Sequence, residues 1–181
     1  MFSKLKRLSL PVYISPRVNG TESILNWGSD FYYIDTSRTF YLSMPKSPIL
    51  VKRIKVLTRE DVYANEFYFY GSYDNNTWNE IIKKGSLCAE ENILDYHKKS
   101  KKCKPDTIRY VDAEKQDSYY YYFKFVMVSN TFYESETSLY RNLIAFNGFD
   151  IIGSFLSPYI CSIHHHRCFN KILLFAILIS H

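Results

Sequence analysis

Residues 50–81 read LVKRIKVLTREDVYANEFYFYGSYDNNTWNEI, and the period of this stretch decides the fold. Over Ile49 to Thr58, Ile54 and Val56 face one way while Arg53 and Lys55 face the other, the two-residue alternation of a strand with one buried face. Arg59 to Asn65 is polar and reads as a loop. Glu66 to Tyr73 resumes the alternation, with Phe67, Phe69 and Gly71 on one face. Asp74-Asn75-Asn76 is a tight turn, because Asn and Asp tolerate positive φ there. Trp78 to Ile82 brings the chain back as the partner strand, and the Trp78 ring can pack over the hairpin base, where a buried Trp removes ~150–250 Å² from water.

Outward from this hairpin the same period recurs. Thr39 to Met44 places Phe40, Leu42 and Met44 on one face, Pro45 and Pro48 mark a turn, and Phe31 to Ile34 is a short strand. Residues 83–117 are polar and irregular, broken by a short strand at Thr107 to Val111. Tyr119 to Val128 has the clearest alternation, with Phe123, Phe125 and Met127 against Lys124, Val126 and Val128. Ser129 to Asn142 is a polar loop, and Leu143 to Ile152 is one last strand ending at Gly153. With no amphipathic helix and no internal repeat, the expectation is an all-β antiparallel β-sandwich, a jelly roll with long irregular loops. Phe67, Phe69, Phe123, Phe125, Phe149 and Ile151 should share its core. The chain divides into an irregular leading segment (1–20), the sandwich (21–153) and an appended tail (154–181).

Composition narrows the class. The 181 residues are 46% hydrophobic and 23% charged, too apolar for an intrinsically disordered chain. Six Gly and six Pro exclude collagen-like and low-complexity classes, and 18% aromatic residues shift the prior toward pleated, half-buried surfaces. Much of the +5 charge sits in Lys98, Lys99, Lys101, Lys102 and Lys104, which reads as a solvated loop, or more sharply as a contact for an anionic partner such as a membrane surface. Cys88, Cys103, Cys161 and Cys168 form no dense framework and no CxxC pair, so neither a disulfide scaffold nor a zinc ribbon is expected. Pro11 and Lys6-Arg7 interrupt the first residues, so no signal peptide is read, and the longest apolar run, Ile172 to Ile179, is far below the ~20 residues that span a bilayer. An intracellular, reduced protein is expected unless the chain is a fragment of a longer one.

The segment Phe69, Gly71, Ser72, Asp74, Asn75, Asn76, Thr77, Trp78 resembles the aromatic–x–Gly–Ser–x–Asp–Asn–x–x–Trp hairpin of the coagulation factor five/eight type C domain, or discoidin domain. That family's second hallmark, aromatic–hydrophobic–Arg–hydrophobic, is matched by Tyr122-Phe123-Lys124-Phe125, and its terminal one by Phe149-Asp150-Ile151-Ile152-Gly153. The order is right over Thr21 to Gly153, although Lys124 replaces Arg, Asp150 replaces Glu, and the two terminal cysteines of extracellular members lack counterparts. The match is most similar to divergent protozoan versions. The resemblance implies a galactose-binding-like jelly roll with loops gathered at one end, in which Ser72, Asp74, Trp78, Phe123, Phe125, Asp150 and Gly153 hold the fold.

Function is expected at that loop end. No glycine-rich phosphate loop, HExxH, GxSxG or EF-hand occurs, so a catalyst is not expected, and neither is a cofactor. His97 is read as a solvated surface residue. The one metal-like cluster, Cys161, His164, His165, His166 and Cys168, is cramped and lies after the last hallmark strand, so no metal site is assigned to it. Sugar-binding relatives place an Arg after the strand that here ends at Thr58. Arg59 matches it, with a planar fork suited to vicinal hydroxyls, the alternative being a surface ion pair with Glu60 or Asp61. The rim then comprises Arg59, Glu60, Asp61, Tyr63, Trp27, Asn130, Phe132 and Tyr133, with Trp27, Tyr63, Phe132 and Tyr133 as candidate stacking rings and the core as the other place for Trp27. The Asp74 turn belongs to the opposite end. The reading is a non-catalytic module that binds a carbohydrate or protein partner. The alternatives are an intracellular protein-interaction scaffold and a peripheral binder of anionic membranes. No nucleic-acid partner is expected.

Overall fold

A computed structural model describes residues 13–15, 31–34, 37–58, 64–87, 93–95, 100–102, 107–130, 142–155 and 173–176. In chain order the strands are β1 (Tyr13–Ser15), β2 (Phe31–Ile34), β3 (Thr39–Ser43), β4 (Ile49–Leu57), β5 (Ala64–Ser72), β6 (Asn79–Ser86), β7 (Ile93–Asp95), β8 (Ser100–Lys102), β9 (Ile108–Asp112), β10 (Tyr122–Asn130), β11 (Leu143–Phe146), β12 (Gly148–Phe155) and β13 (Leu173–Ala176). A five-stranded sheet in the order β1-β3-β10-β5-β6 packs on a four-stranded sheet in the order β13-β12-β4-β9; of two further two-stranded pairs, β11-β2 and β7-β8, the first adds Ile144 and Phe146 to the same core. Every pairing is antiparallel, as the sandwich expectation requires.

The core follows from alternation. Phe67, Phe69, Phe123, Phe125, Phe149 and Ile151 are all fully buried, so the register expected from the sequence is the one adopted. Phe125 lies at the centre. It stacks on Phe40 and Phe67 at 4.9 and 4.8 Å and meets Phe146 and Phe149 edge-on at 5.6 and 6.0 Å. Phe149 comes from the second sheet, so these rings stitch the two layers together. Offset and edge-to-face pairs of this kind add about 0.5–1.5 kcal/mol each beyond area burial.

Three features differ from the sequence expectation. The single last strand is two: β11 pairs with β2, then Asn147 turns the chain and donates its N–H to Leu57 O at 2.9 Å, and β12 pairs with β4. From 83 onward, where the sequence reads as irregular, the chain contributes the end of β6 and the β7-β8 pair, which takes in Lys101 and Lys102, while β9 is the short strand expected at Thr107 to Val111. Short strands also come from the leading segment and the tail: β1 adds an edge to β3, and β13 adds one to β12.

Close approach explains two glycines. A Cβ on Gly71 would run into the Tyr120 ring and lie 2.7 Å from Ile81 Cδ1, and one on Gly153 would run into the Leu50 carbonyl and lie 2.9 Å from Ile49 Cγ2. Tyr120 caps the core at this end by pairing its backbone with Ile49 in both directions at 2.9 Å.

Candidate functional site

The two ends of the sandwich are built differently. At one end the hallmark hairpin turns through Asp74. Its Oδ1 accepts bonds from Ser72 Oγ at 3.0 Å, Asn76 N at 2.9 Å and Thr77 N at 2.8 Å, and its Oδ2 accepts one from Thr77 Oγ1 at 3.2 Å. Asn75 has φ 63°, the conformation the turn demands. The Thr77 and Asn76 amides stabilise the charged carboxylate and hold its pKa at about 2, from an ordinary 3.8. Ser72 is buried and Asp74 is spent on the backbone, so this end is a closed structural turn.

Trp78 does not enter the core. It is half-buried on the outer face of the five-stranded sheet, 5.9 Å from the Tyr41 ring, with Lys124 Nζ 4.6 Å from its centre. Asp150 is also on an outer face, fully buried on β12 opposite Lys55, whose Nζ lies 3.9 Å from its Oδ2.

At the other end the strand ends converge. β4 finishes at Leu57, and the next residue, Thr58, is buried and clamped to Thr107: Thr58 N donates to Thr107 O at 3.0 Å, and Thr107 N donates to Thr58 Oγ1 at 3.1 Å. The chain re-enters at Ala64, directly paired with Asn130, the last residue of β10. Asn130 is buried and donates Nδ2 to Leu143 O at 3.2 Å. Arg38, at φ 51°, donates Nε to Asn142 Oδ1 at 2.7 Å and a terminal N–H to Val128 O at 2.8 Å. The segments 59–63 and 131–141 therefore leave from one braced end, opposite the Asp74 turn. Sequence reasoning overlooked Arg38 and Asn142. Their contact joins residues 104 apart and leaves no local pattern.

Of the sequence-derived rim, Asn130 is the residue described, as a buried brace between strand ends. Arg59, Glu60, Asp61, Tyr63, Trp27, Phe132 and Tyr133 lie outside the described residues, as do Cys161, His164, His165, His166 and Cys168. Among the described residues no group of three or more His, Cys, Asp or Glu side chains could hold a metal ion, and no helix is long and apolar enough to cross a membrane.

No family model matches the chain, and no curated protein matches its sequence. Solved structures do match its fold. A CBM32 module from a family 31 glycoside hydrolase of Clostridium perfringens is 16% identical at a TM-score of 0.50, covering 79% of this chain and 96% of that one. The CBM32 of AlyQ, in complex with 4,5-unsaturated mannuronic acid, is 8% identical at 0.52, covering 80% and 95%. A family 89 glycoside hydrolase of Clostridium perfringens is 10% identical at 0.53, and this chain spans only 14% of that enzyme. The chain shares the antiparallel β-sandwich fold of these CBM32 modules, the fold that the hallmark residues implied.

Proposed function

We propose that the protein is a non-catalytic carbohydrate-binding module whose ligand sits on the loop end, across segments 59–63 and 131–141. The observation that carries this reading is the convergence at one end of the sandwich, through the Ala64–Asn130 pair and the Arg38–Asn142 brace, of the strand ends that deliver both segments. The CBM32-type fold and the sugar acid bound by one module of that fold support it. Arg59 supplies the planar donor fork to ring hydroxyls, and an aromatic residue of the rim, from Tyr63, Phe132, Tyr133 or Trp27, stacks on the sugar face. Glu60, Asp61 and Asn130 complete the rim, Asn130 as its support.

A glycan array probed with the full-length protein tests this reading. Binding to a defined set of neutral glycans, lost in Arg59→Ala and retained when Lys98, Lys99, Lys101, Lys102 and Lys104 are replaced by Gln, is the expected result. Loss of binding in the lysine variant with Arg59→Ala unaffected would make the protein an anionic-surface binder instead.

A further inference from the structure

The outer face of the five-stranded sheet carries a stripe of rings around one cation. Lys124 on β10 pairs with Tyr41 on β3 and with Tyr70 on β5, and Tyr70 pairs in turn with Glu80 on β6, so the four side chains form one row on one face. Tyr68 extends the stripe along β5, its ring 6.1 Å from that of Tyr70. Trp78, the residue before β6, extends it at that strand's start and reaches to within 5.9 Å of Tyr41. The Lys124 ammonium stands between two rings, 4.7 Å from Tyr70 and 4.6 Å from Trp78. Tyr41 is 38% exposed.

Cross-strand pairing and cation–π attraction account for the stability of this row, but not for its surface chemistry. Ring faces carry negative quadrupole charge, which suits the weakly positive C–H faces of pyranose rings, and the tyrosine hydroxyls offer hydrogen bonds at the ring edges. Lys124 has exchanged part of its hydration for those faces, and this desolvation lowers its pKa. Among the described residues no carboxylate forms an ion pair with Lys124, so a carboxylate arriving there supplies an opposite charge. Glu80, at the β6 end of the row, repels a second one, so an acidic group fits on the Tyr41 side and not on the Glu80 side.

We propose that this face is a second carbohydrate site, which takes an extended acidic glycan with a uronate carboxylate on Lys124 and a sugar ring on the exposed Tyr41. It rests on the carbohydrate-binding reading for the class of ligand only and uses none of the rim residues.

The test uses the full chain, with calorimetry and tryptophan fluorescence, against hexamannuronate, hexagalacturonate and a hyaluronan hexasaccharide, plus hexamannuronate with its carboxyls reduced to alcohols. At least one acidic chain should bind. Lys124→Gln should weaken it about tenfold, the loss of one charge-assisted contact. Tyr41→Ala should weaken it several-fold, Lys124→Arg should retain most of the affinity, and the carboxyl-reduced chain should bind more weakly than its acidic parent. Arg59→Ala should leave this binding unchanged. Tyr41 is partly exposed, so its variant keeps the test decisive if Lys124→Gln folds poorly. Failure of all three acidic chains to bind, or undiminished binding in both Lys124→Gln and Tyr41→Ala, overturns the proposal. So does a concentration-dependent dimer that Tyr41→Ala abolishes, which would make the face a self-association surface. Acidic-chain binding lost in Arg59→Ala alone also overturns it, while leaving the loop-end reading intact. Binding that depends on Lys124, with Arg59→Ala silent on every glycan, supports this site and removes the loop-end one.

Discussion

Ala64 and Asn130 face one another across β5 and β10, so the chain on either side of that pair, 59–63 and 131–141, springs from a single point of the five-stranded sheet. Asn130 also reaches β11 through Leu143 O. Asn130→Ala would leave that carbonyl without its buried donor, and stability should fall by about 1–3 kcal/mol in urea denaturation. Asn130→Asp, which replaces the donor with an acceptor, should cost at least as much. Variants as stable as the wild type would show that the brace is not formed in solution.

Trp78 lies on the sheet surface, so Trp78→Ala should cost less than a core aromatic does. Loss of the Lys124 and Tyr41 contacts predicts about 1–2.5 kcal/mol by chemical denaturation, from one cation–π and one ring–ring interaction. A loss in the ~3–5 kcal/mol range of core aromatics would place the ring inside the sandwich.

Phe125 is the opposite case. Phe125→Ala, which empties a site buried between four phenylalanines, should cost about 3–5 kcal/mol, a large part of the ~5–15 kcal/mol that keeps an ordinary domain folded. Gly153→Ala forces a methyl against the backbone carbonyl of Leu50, which cannot swing aside, and should cost about 1–3 kcal/mol without touching either binding face. Thermal denaturation of both variants checks the two effects.

Asp74 sets an acid limit on the hairpin. Its pKa is depressed in the folded state, so the carboxylate's contribution is complete above its ordinary 3.8 and is lost as pH falls toward about 2. The melting temperature of the wild type should therefore drop across that interval more steeply than that of Asp74→Asn, whose curve lacks this component. Parallel curves would mean that the carboxylate makes no such bonds to Asn76 and Thr77.

What the sequence revealed depended on whether the controlling interactions were local. β5 and β10 bury one face and expose the other, so their alternation survives in the letters. β11 is buried along its whole length, so alternation does not separate it from β12, and the one local mark of the break is the Asn147-Gly148 turn dipeptide inside an otherwise mostly apolar stretch. β1 and β13 are three- and four-residue edges, defined by the strands they meet and not by their own composition. The Asp74 turn was legible because its bonds span two or three residues. The Arg38–Asn142 brace and the Lys124 row were not, because each is assembled from distant strands that alternation alone does not order.

If Arg59 holds a sugar at the loop end, titration calorimetry of Arg59→Ala with the strongest neutral glycan from the array reads its contribution. The affinity should be about ten-fold or more weaker, since a well-formed charge-assisted hydrogen bond is worth ~1.5–3 kcal/mol and 1.4 kcal/mol is one decade. The melting temperature should be unchanged, and Arg59→Lys should rescue poorly because it lacks the planar fork. An Arg59→Ala protein that binds that glycan as tightly as the wild type would contradict that role.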